Sequence, residues 1–110
     1  MKYFENNNCY FIVGNNANEN WKLLEERYEN DVWIHLKHLT SPHVFVCLKN
    51  MLDDVSNDDI LYGCTLCKQF SKYKNGKKKL QFNYTETKNV EKGRSVGSVV
   101  ILSPPKVMTI

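Results

Sequence analysis

The chain has 110 residues, 42% of them hydrophobic, and a formal net charge of +3; this suits one domain over residues 1–110 with a single core and excludes a two-domain assembly. No run approaches the roughly 18 consecutive apolar residues of a membrane span, and Met1-Lys2-Tyr3-Phe4-Glu5 lacks an apolar signal-peptide core, so a soluble cytoplasmic protein with no membrane partner is expected. The charge is unevenly spread: residues 1–66 hold five Lys and Arg against ten Asp and Glu, whereas residues 67–110 hold ten against two.

Asn6-Asn7-Asn8 and Asn15-Asn16 read as turns, which predicts hairpin-like strands around residues 2–5 and 10–13. Asn16 followed by Glu19 has capping-box spacing, and Ala17, Trp21, Leu24 and Tyr28 then recur at helical intervals with Glu25, Glu26 and Glu29 largely off that stripe. An amphipathic helix packed on a sheet is expected there. From Asp31 the period changes to two, with Val32, Ile34 and Leu36 on one side and Asp31, Trp33, His35 and Lys37 on the other. His38-Leu39-Thr40-Ser41-Pro42 makes a turn, and the β-branched, aromatic-rich run from His43 to Leu48 returns as the second strand of an antiparallel hairpin. After an acidic loop at 51–55, Ser56 or Asn57 caps a second helix with Ile60, Cys64, Cys67 and Phe70 along one apolar stripe. Asn75-Gly76 supplies the stop. Leu80, Phe82 and Tyr84 share a face of the next strand, and residues 99–102 and 106–110 form further strands separated by Pro104-Pro105. The expected fold is α+β: a single mixed, mostly antiparallel sheet with two packed helices.

Four cysteines without a secretory signal are expected to be reduced. Cys64 and Cys67 have C-x-x-C spacing, but Cys9 and Cys47 form no second pair at ligand spacing, so packed thiols with no metal and no cofactor are expected.

Two constellations could carry function. Asp31, Trp33 and His35 share a strand face, and His43 joins them if the hairpin closes around Thr40, because residues of equal parity face the same way. That patch reads in three ways: a carboxylate orienting a histidine for acid–base chemistry, a metal site of Asp31, His35 and His43, or a structural network beside a half-buried tryptophan. The second constellation is basic: Lys68, Lys72, Lys74, Lys77, Lys78, Lys79, Lys88, Lys92 and Arg94. It suits phosphate contacts to a polyanion, or is simply a solvated surface. Lysine's predominance over arginine favours backbone contact over base readout.

The ordered combination of Val13-Gly14-Asn15-Asn16-Ala17-Asn18-Glu19-Asn20, Asp31-Val32-Trp33-Ile34-His35-Leu36, Ser41-Pro42-His43-Val44, Phe70-Ser71-Lys72, and Tyr84-Thr85 with Lys88-Asn89-Val90-Glu91-Lys92 resembles the NFACT-R domain family over nearly the whole chain. The resemblance implies an RNA-binding module, met in ribosome-associated quality-control factors that engage tRNA on the large ribosomal subunit, with Asp31, Trp33, His35, Ser41 and His43 as a motif cluster. It implies RNA (tRNA or rRNA), and with it the ribosome, as partners. Those factors usually have Gly before the Ser-His pair, whereas Ser41-Pro42-His43 interposes a proline; the branch whose domain precedes a coiled coil also lacks that glycine pattern, so the chain looks closer to that branch. That branch has been linked to DNA sensing, so DNA is an alternative ligand. Neither the coiled coil nor the fibronectin-binding-like part of the larger factors is expected within these residues. A binding module rather than an enzyme is expected; the rivals are a small enzyme centred on Asp31, His35 and His43, and a protein-interaction adaptor. Oligomeric state has no signature in the sequence.

Overall fold

The computed structural model describes all 110 residues. The elements in chain order are β1 (Lys2–Asn6), β2 (Cys9–Val13), α1 (Ala17–Glu25), β3 (Val32–Leu36), β4 (Val44–Leu48), α2 (Asn57–Gln69), β5 (Gln81–Glu86), a 3-10 turn (Thr87–Asn89), β6 (Val90–Lys92), β7 (Val99–Ile101) and β8 (Lys106–Thr109). Six strands form one antiparallel sheet in the order β1-β2-β4-β3-β5-β8, and β6 pairs with β7 in a separate small sheet. The α+β architecture expected from the sequence is therefore the one adopted, with the β6–β7 ribbon in addition. No helix is long and apolar enough to cross a membrane.

Strand alternation sorts the core into two layers. Phe11, Val13, Val32, Ile34, Leu36, Val44, Val46 and Phe82 face α2, where they bury Ile60, Cys64, Leu66 and Cys67. Ile12, Trp33, Phe45 and Cys47 face the other way, against Leu23 of α1 and Val90 of β6. Full burial of each large apolar side chain stabilises by about 1.5–3 kcal/mol. Helix α2 lies very close to the sheet because residue 63 is glycine; a Cβ there would come 2.5 Å from the Ile34 Cδ1.

The caps explain the helix limits. Asn16 accepts the Glu19 N–H through its side chain, but the Glu19 carboxylate returns to the N–H of Asn15 rather than of Asn16, so the capping box is displaced by one residue. Ser56 and Asp59 form a complete box on α2. Two expectations about helix extent need correcting. Helix α1 ends at Glu25, so Tyr28 falls outside it and is exposed, and Leu23 rather than Tyr28 takes the buried position. Asp31 stops continuation of that helix by accepting the Tyr28 N–H (3.1 Å) as the chain turns into β3. Helix α2 stops at Gln69, well before Asn75-Gly76, because the Ser71 hydroxyl donates to the Lys68 carbonyl (2.8 Å) and accepts the Tyr73 N–H (3.1 Å).

Candidate nucleic-acid interface

The strand directions give the sheet two chemically different ends. β2 and β3 finish, and β1, β4 and β5 begin, at the same end; Gly14 N–H donates to the His43 carbonyl (3.0 Å) and Lys37 N–H to the Gln81 carbonyl (2.9 Å) across it. That end collects four connections: residues 14–16 with the start of α1, the 37–43 turn, the 70–80 segment after α2, and the 93–98 turn. The last is pinned by Gly97, whose φ of +87° excludes most side chains and whose Cβ position would lie 2.6 Å from the Ala17 Cβ.

The β3–β4 register pairs Trp33 with Phe45 and Ile34 with Val44, which centres the turn on Leu39 rather than Thr40 and places His35 opposite His43 on the expected common face. Parity survives the one-residue shift. The ring centroids of the two histidines are 4.9 Å apart, and His35 stacks on Trp33 with planes 3° apart. Trp33 Nε1–H donates to His43 Nδ1 (3.0 Å), so neutral His43 carries its proton on Nε2. His35 Nδ1 lies 2.7 Å from the Leu36 carbonyl, which can only accept, so the His35 proton sits on Nδ1 and its Nε2 is an acceptor. Burial, followed by the neighbouring His35, pushes the His43 pKa down to about 3, and burial also lowers that of His35 against the opposing pull of its backbone hydrogen bonds. Both rings are neutral at pH 7.

Asp31 is at the opposite end of β3. It is buried, and its carboxylate accepts the N–H groups of Tyr28 and Leu48, each at 3.1 Å. It therefore clasps three segments together instead of orienting His35, and neither the carboxylate–histidine pair nor the Asp31–His35–His43 ligand set is assembled. No group of three or more His, Cys, Asp or Glu side chains converges as a metal-ligand set. Ser41 closes the β3–β4 turn: its hydroxyl accepts the Leu36 N–H (3.1 Å) and donates to the Pro42 carbonyl (3.0 Å). Cys64 and Cys67 lie on the buried stripe of α2, where burial pushes their thiols up to about 12 and about 11.

The basic residues divide. Lys72, Lys74, Lys77, Lys78 and Lys79 are exposed in the 71–79 connection, Lys68 is half-buried in the last turn of α2, and Arg94 is exposed in the 93–98 turn. The ion pairs of the molecule join Met1 to Glu19, Arg27 to Glu26, Lys49 to Glu5, Lys88 to Glu86 and Lys92 to Glu25, so none of those seven cations is neutralised by a carboxylate. Lys88 and Lys92, by contrast, are paired, and the Lys92 ammonium also lies 5.0 Å above the Trp21 ring. Lys2, which sequence reasoning missed, joins the basic end from β1: its ammonium donates to the Asn15 side chain (3.0 Å) and sits 5.0 Å over the Phe70 ring.

Two clefts open at this end. One, of about 710 Å³, is lined by Lys2, Asn15, Asn20, Ser71 and Lys72 among others. The other, of about 450 Å³, is lined by Trp33, His35, His43 and Asn83 among others, and Thr40 and Gly97 border both. Each is lined by an asparagine whose side-chain oxygen is buried out of reach of solvent and has no hydrogen-bond partner, Asn20 in the first and Asn83 in the second. Asn83 had no signal in the sequence beyond being a polar residue in an alternating strand.

The family model described as the NFACT protein RNA binding domain matches residues 1–103. Among solved structures, the C-terminal part of the fibronectin/fibrinogen-binding protein from Streptococcus suis superposes with a TM-score of 0.78 at 24% identity, over 93% of this chain and 40% of that one. At that identity the likeness establishes the fold, and this chain spans less than half the length of that neighbour. No curated protein sequence matches the chain.

Proposed function

From its membership of the NFACT RNA-binding domain family, we propose that the chain is a cytoplasmic RNA-binding module whose phosphate-contacting surface is the basic end of the sheet. The observation that carries this reading is the set of unpaired cations there: Lys72, Lys74, Lys77, Lys78, Lys79 and Arg94 are exposed and free of carboxylate partners. Such charges are available to displace the counterions of a polyanion. A structured RNA, tRNA or rRNA in a ribosome-associated quality-control setting, is the proposed ligand, with DNA as the variant that the same phosphate contacts would also serve. The Ser41-Pro42-His43 sequence supports kinship with coiled-coil domain-containing protein 25. Lys88 and Lys92 contribute less, since Glu86 and Glu25 already balance them.

The test is a salt series. Replacing Lys77, Lys78 and Lys79 together by Gln is expected to lower the log–log salt slope for a tRNA by about 2–3 units, at roughly 0.7–0.9 per lost phosphate contact, and to weaken binding similarly across unrelated sequences. Fluorescence anisotropy reads both, and circular dichroism verifies the fold. An unchanged slope would remove this loop from the interface; slopes and affinities equal for RNA and for DNA of the same shape would favour the DNA variant equally.

A further inference from the structure

The larger cleft, between the start of α1, the start of β1 and the 70–72 segment, sorts its polar side-chain atoms by kind. Its acceptors are spent or turned away. The Asn15 side-chain oxygen takes the Lys2 ammonium (3.0 Å), that of Asn16 takes the Glu19 N–H (3.0 Å), and that of Asn20 is buried out of reach of solvent. The Ser41 hydroxyl is occupied by the Leu36 N–H and the Pro42 carbonyl, and the Ser71 hydroxyl by the Tyr73 N–H and the Lys68 carbonyl. No Asp or Glu lines the cleft. Glu19, the acidic residue in the first turn of α1, is held by the Asn15 N–H and the terminal amino group of Met1.

Its donors remain open. Lys2 spends one ammonium proton on Asn15, and Lys72 has no carboxylate partner. Asn20 is only 9% exposed; with its oxygen buried, its NH2 group is the polar end left to the cleft, and that group meets no acceptor in the protein. Gly14 makes room for this arrangement, since a Cβ there would collide with the Asn20 oxygen. At the start of α1, Asn16 receives the N–H groups of Glu19 and Asn20, whereas the N–H of Ala17, which also lines the cleft, has no acceptor. The exposed Thr40 hydroxyl adds a further donor.

A cleft whose open groups donate, two of them cationic, at the positive end of a helix dipole, suits a ligand that only accepts. We propose that this cleft is a discrete phosphate site, in which one phosphate group of the bound RNA sits against Lys2, Lys72, the Asn20 amide and the Ala17 N–H. The proposal rests on the RNA-binding reading for the source of that phosphate, a backbone phosphodiester or a terminal phosphomonoester. It differs from attraction by the 71–79 connection in that two lysines serve a single phosphate.

Inorganic phosphate is the probe, titrated into isotope-labelled protein at constant ionic strength and followed by NMR. Saturable shifts are expected at the amides of Ala17, Thr40 and Gly97 and at the Asn20 side-chain NH2. Asn20→Asp turns the donor into a negatively charged acceptor and is expected to abolish binding. Because that change places a carboxylate in a nearly buried position, Lys2→Gln with Lys72→Gln, both at exposed positions, serves as the second variant. It is expected to weaken phosphate by at least about tenfold, the scale of one charge-assisted hydrogen bond. For a tRNA the lysine pair should lose together about 0.7–0.9 of the log–log salt slope, whereas two lysines on separate phosphates would lose about 1.4–1.8. The larger loss, shifts that do not saturate, or shifts centred on residues 74–79 would overturn the proposal. An oligonucleotide with and without a terminal phosphate identifies the source. Tighter binding of the phosphorylated form, lost in the lysine variant, assigns the terminal group; equal binding of the two forms, with the slope loss retained, assigns the backbone. Saturable phosphate in the cleft of a protein without affinity for RNA upholds the site and removes the RNA reading. RNA affinity that follows Lys77, Lys78 and Lys79 with no phosphate in the cleft does the reverse.

Discussion

The two ends of the sheet are built from the same strands, yet they differ in what their polar groups are doing. At the end where β3 begins, charges are spent on the fold: Asp31 takes two backbone N–H groups, Glu86 holds Lys88, and Glu5 holds Lys49. A cavity of about 390 Å³ there mixes Asp54 and Glu86 with Lys106. At the end where β3 finishes, the lysines of the 71–79 connection have no carboxylate partner, and two buried amide oxygens have no partner of any kind. Self-satisfied polar groups stabilise a fold, whereas exposed lysines without carboxylate partners keep their charge available to a polyanion.

The largest effect expected at the self-satisfied end comes from Asp31→Ala. It strands the N–H groups of Tyr28 and Leu48 and should destabilise the protein by about 2–4 kcal/mol, measured by urea unfolding. The RNA affinity of the remaining folded protein should be unchanged; a parallel loss of affinity would show that the two ends are not separable.

A smaller effect belongs to the histidine pair. His43 has a folded-state pKa of about 3 against an ordinary value of 6.5, so the unfolded chain binds a proton that the folded one refuses. Stability is therefore complete above about pH 6.5 and falls as the pH drops towards 3, by up to about 1.4 kcal/mol per pH unit for this one proton. His35, also lowered, adds in the same direction. His43→Gln, whose amide oxygen can still accept from Trp33, should flatten that slope between pH 6.5 and 5, as read by thermal melts across the range.

The smallest effect is reserved for Asp53→Asn with Asp54→Asn. A five-residue strand spans about 16 Å, which exceeds the roughly 8 Å screening length at physiological salt. Removing these two charges should raise RNA affinity less than about threefold by anisotropy. A larger gain would mean that RNA reaches across to the acidic end.

Much of this was legible in advance, and the failures have physical causes. Period-two alternation placed His35 and His43 on one face, and that inference was robust because a register error of a whole turn residue preserves parity. The Ser56 cap and the buried Cys64–Cys67 stripe were equally plain. The division of the basic residues was not, since linear charge counting cannot tell that Lys88 meets Glu86 while Lys77 meets nothing. Asp31 was misplaced because alternation fixes a face but not a position along the strand, and hydrogen bonds to Tyr28 and Leu48 lie outside any local pattern. The end of α2 was misread because Ser71 stops the helix through its side chain, a weaker signal than Asn75-Gly76. β6 escaped notice because three residues are too few to establish a period.

The strand order has a consequence for how the molecule assembles. β3 meets β4 through a short turn, but it meets β5 only after α2 has been laid down, so the pairing of His35 with Asn83 closes a loop of nearly half the chain. Contacts that distant in sequence form late, after the loop entropy has been overcome. The cleft lined by His43, His35 and Asn83 is therefore complete only once β5 docks. Amide exchange at β5 and β8 should report on that docking directly, because detaching this pair leaves the four-stranded β1-β2-β4-β3 unit hydrogen-bonded while it takes Asn83 away from the cleft.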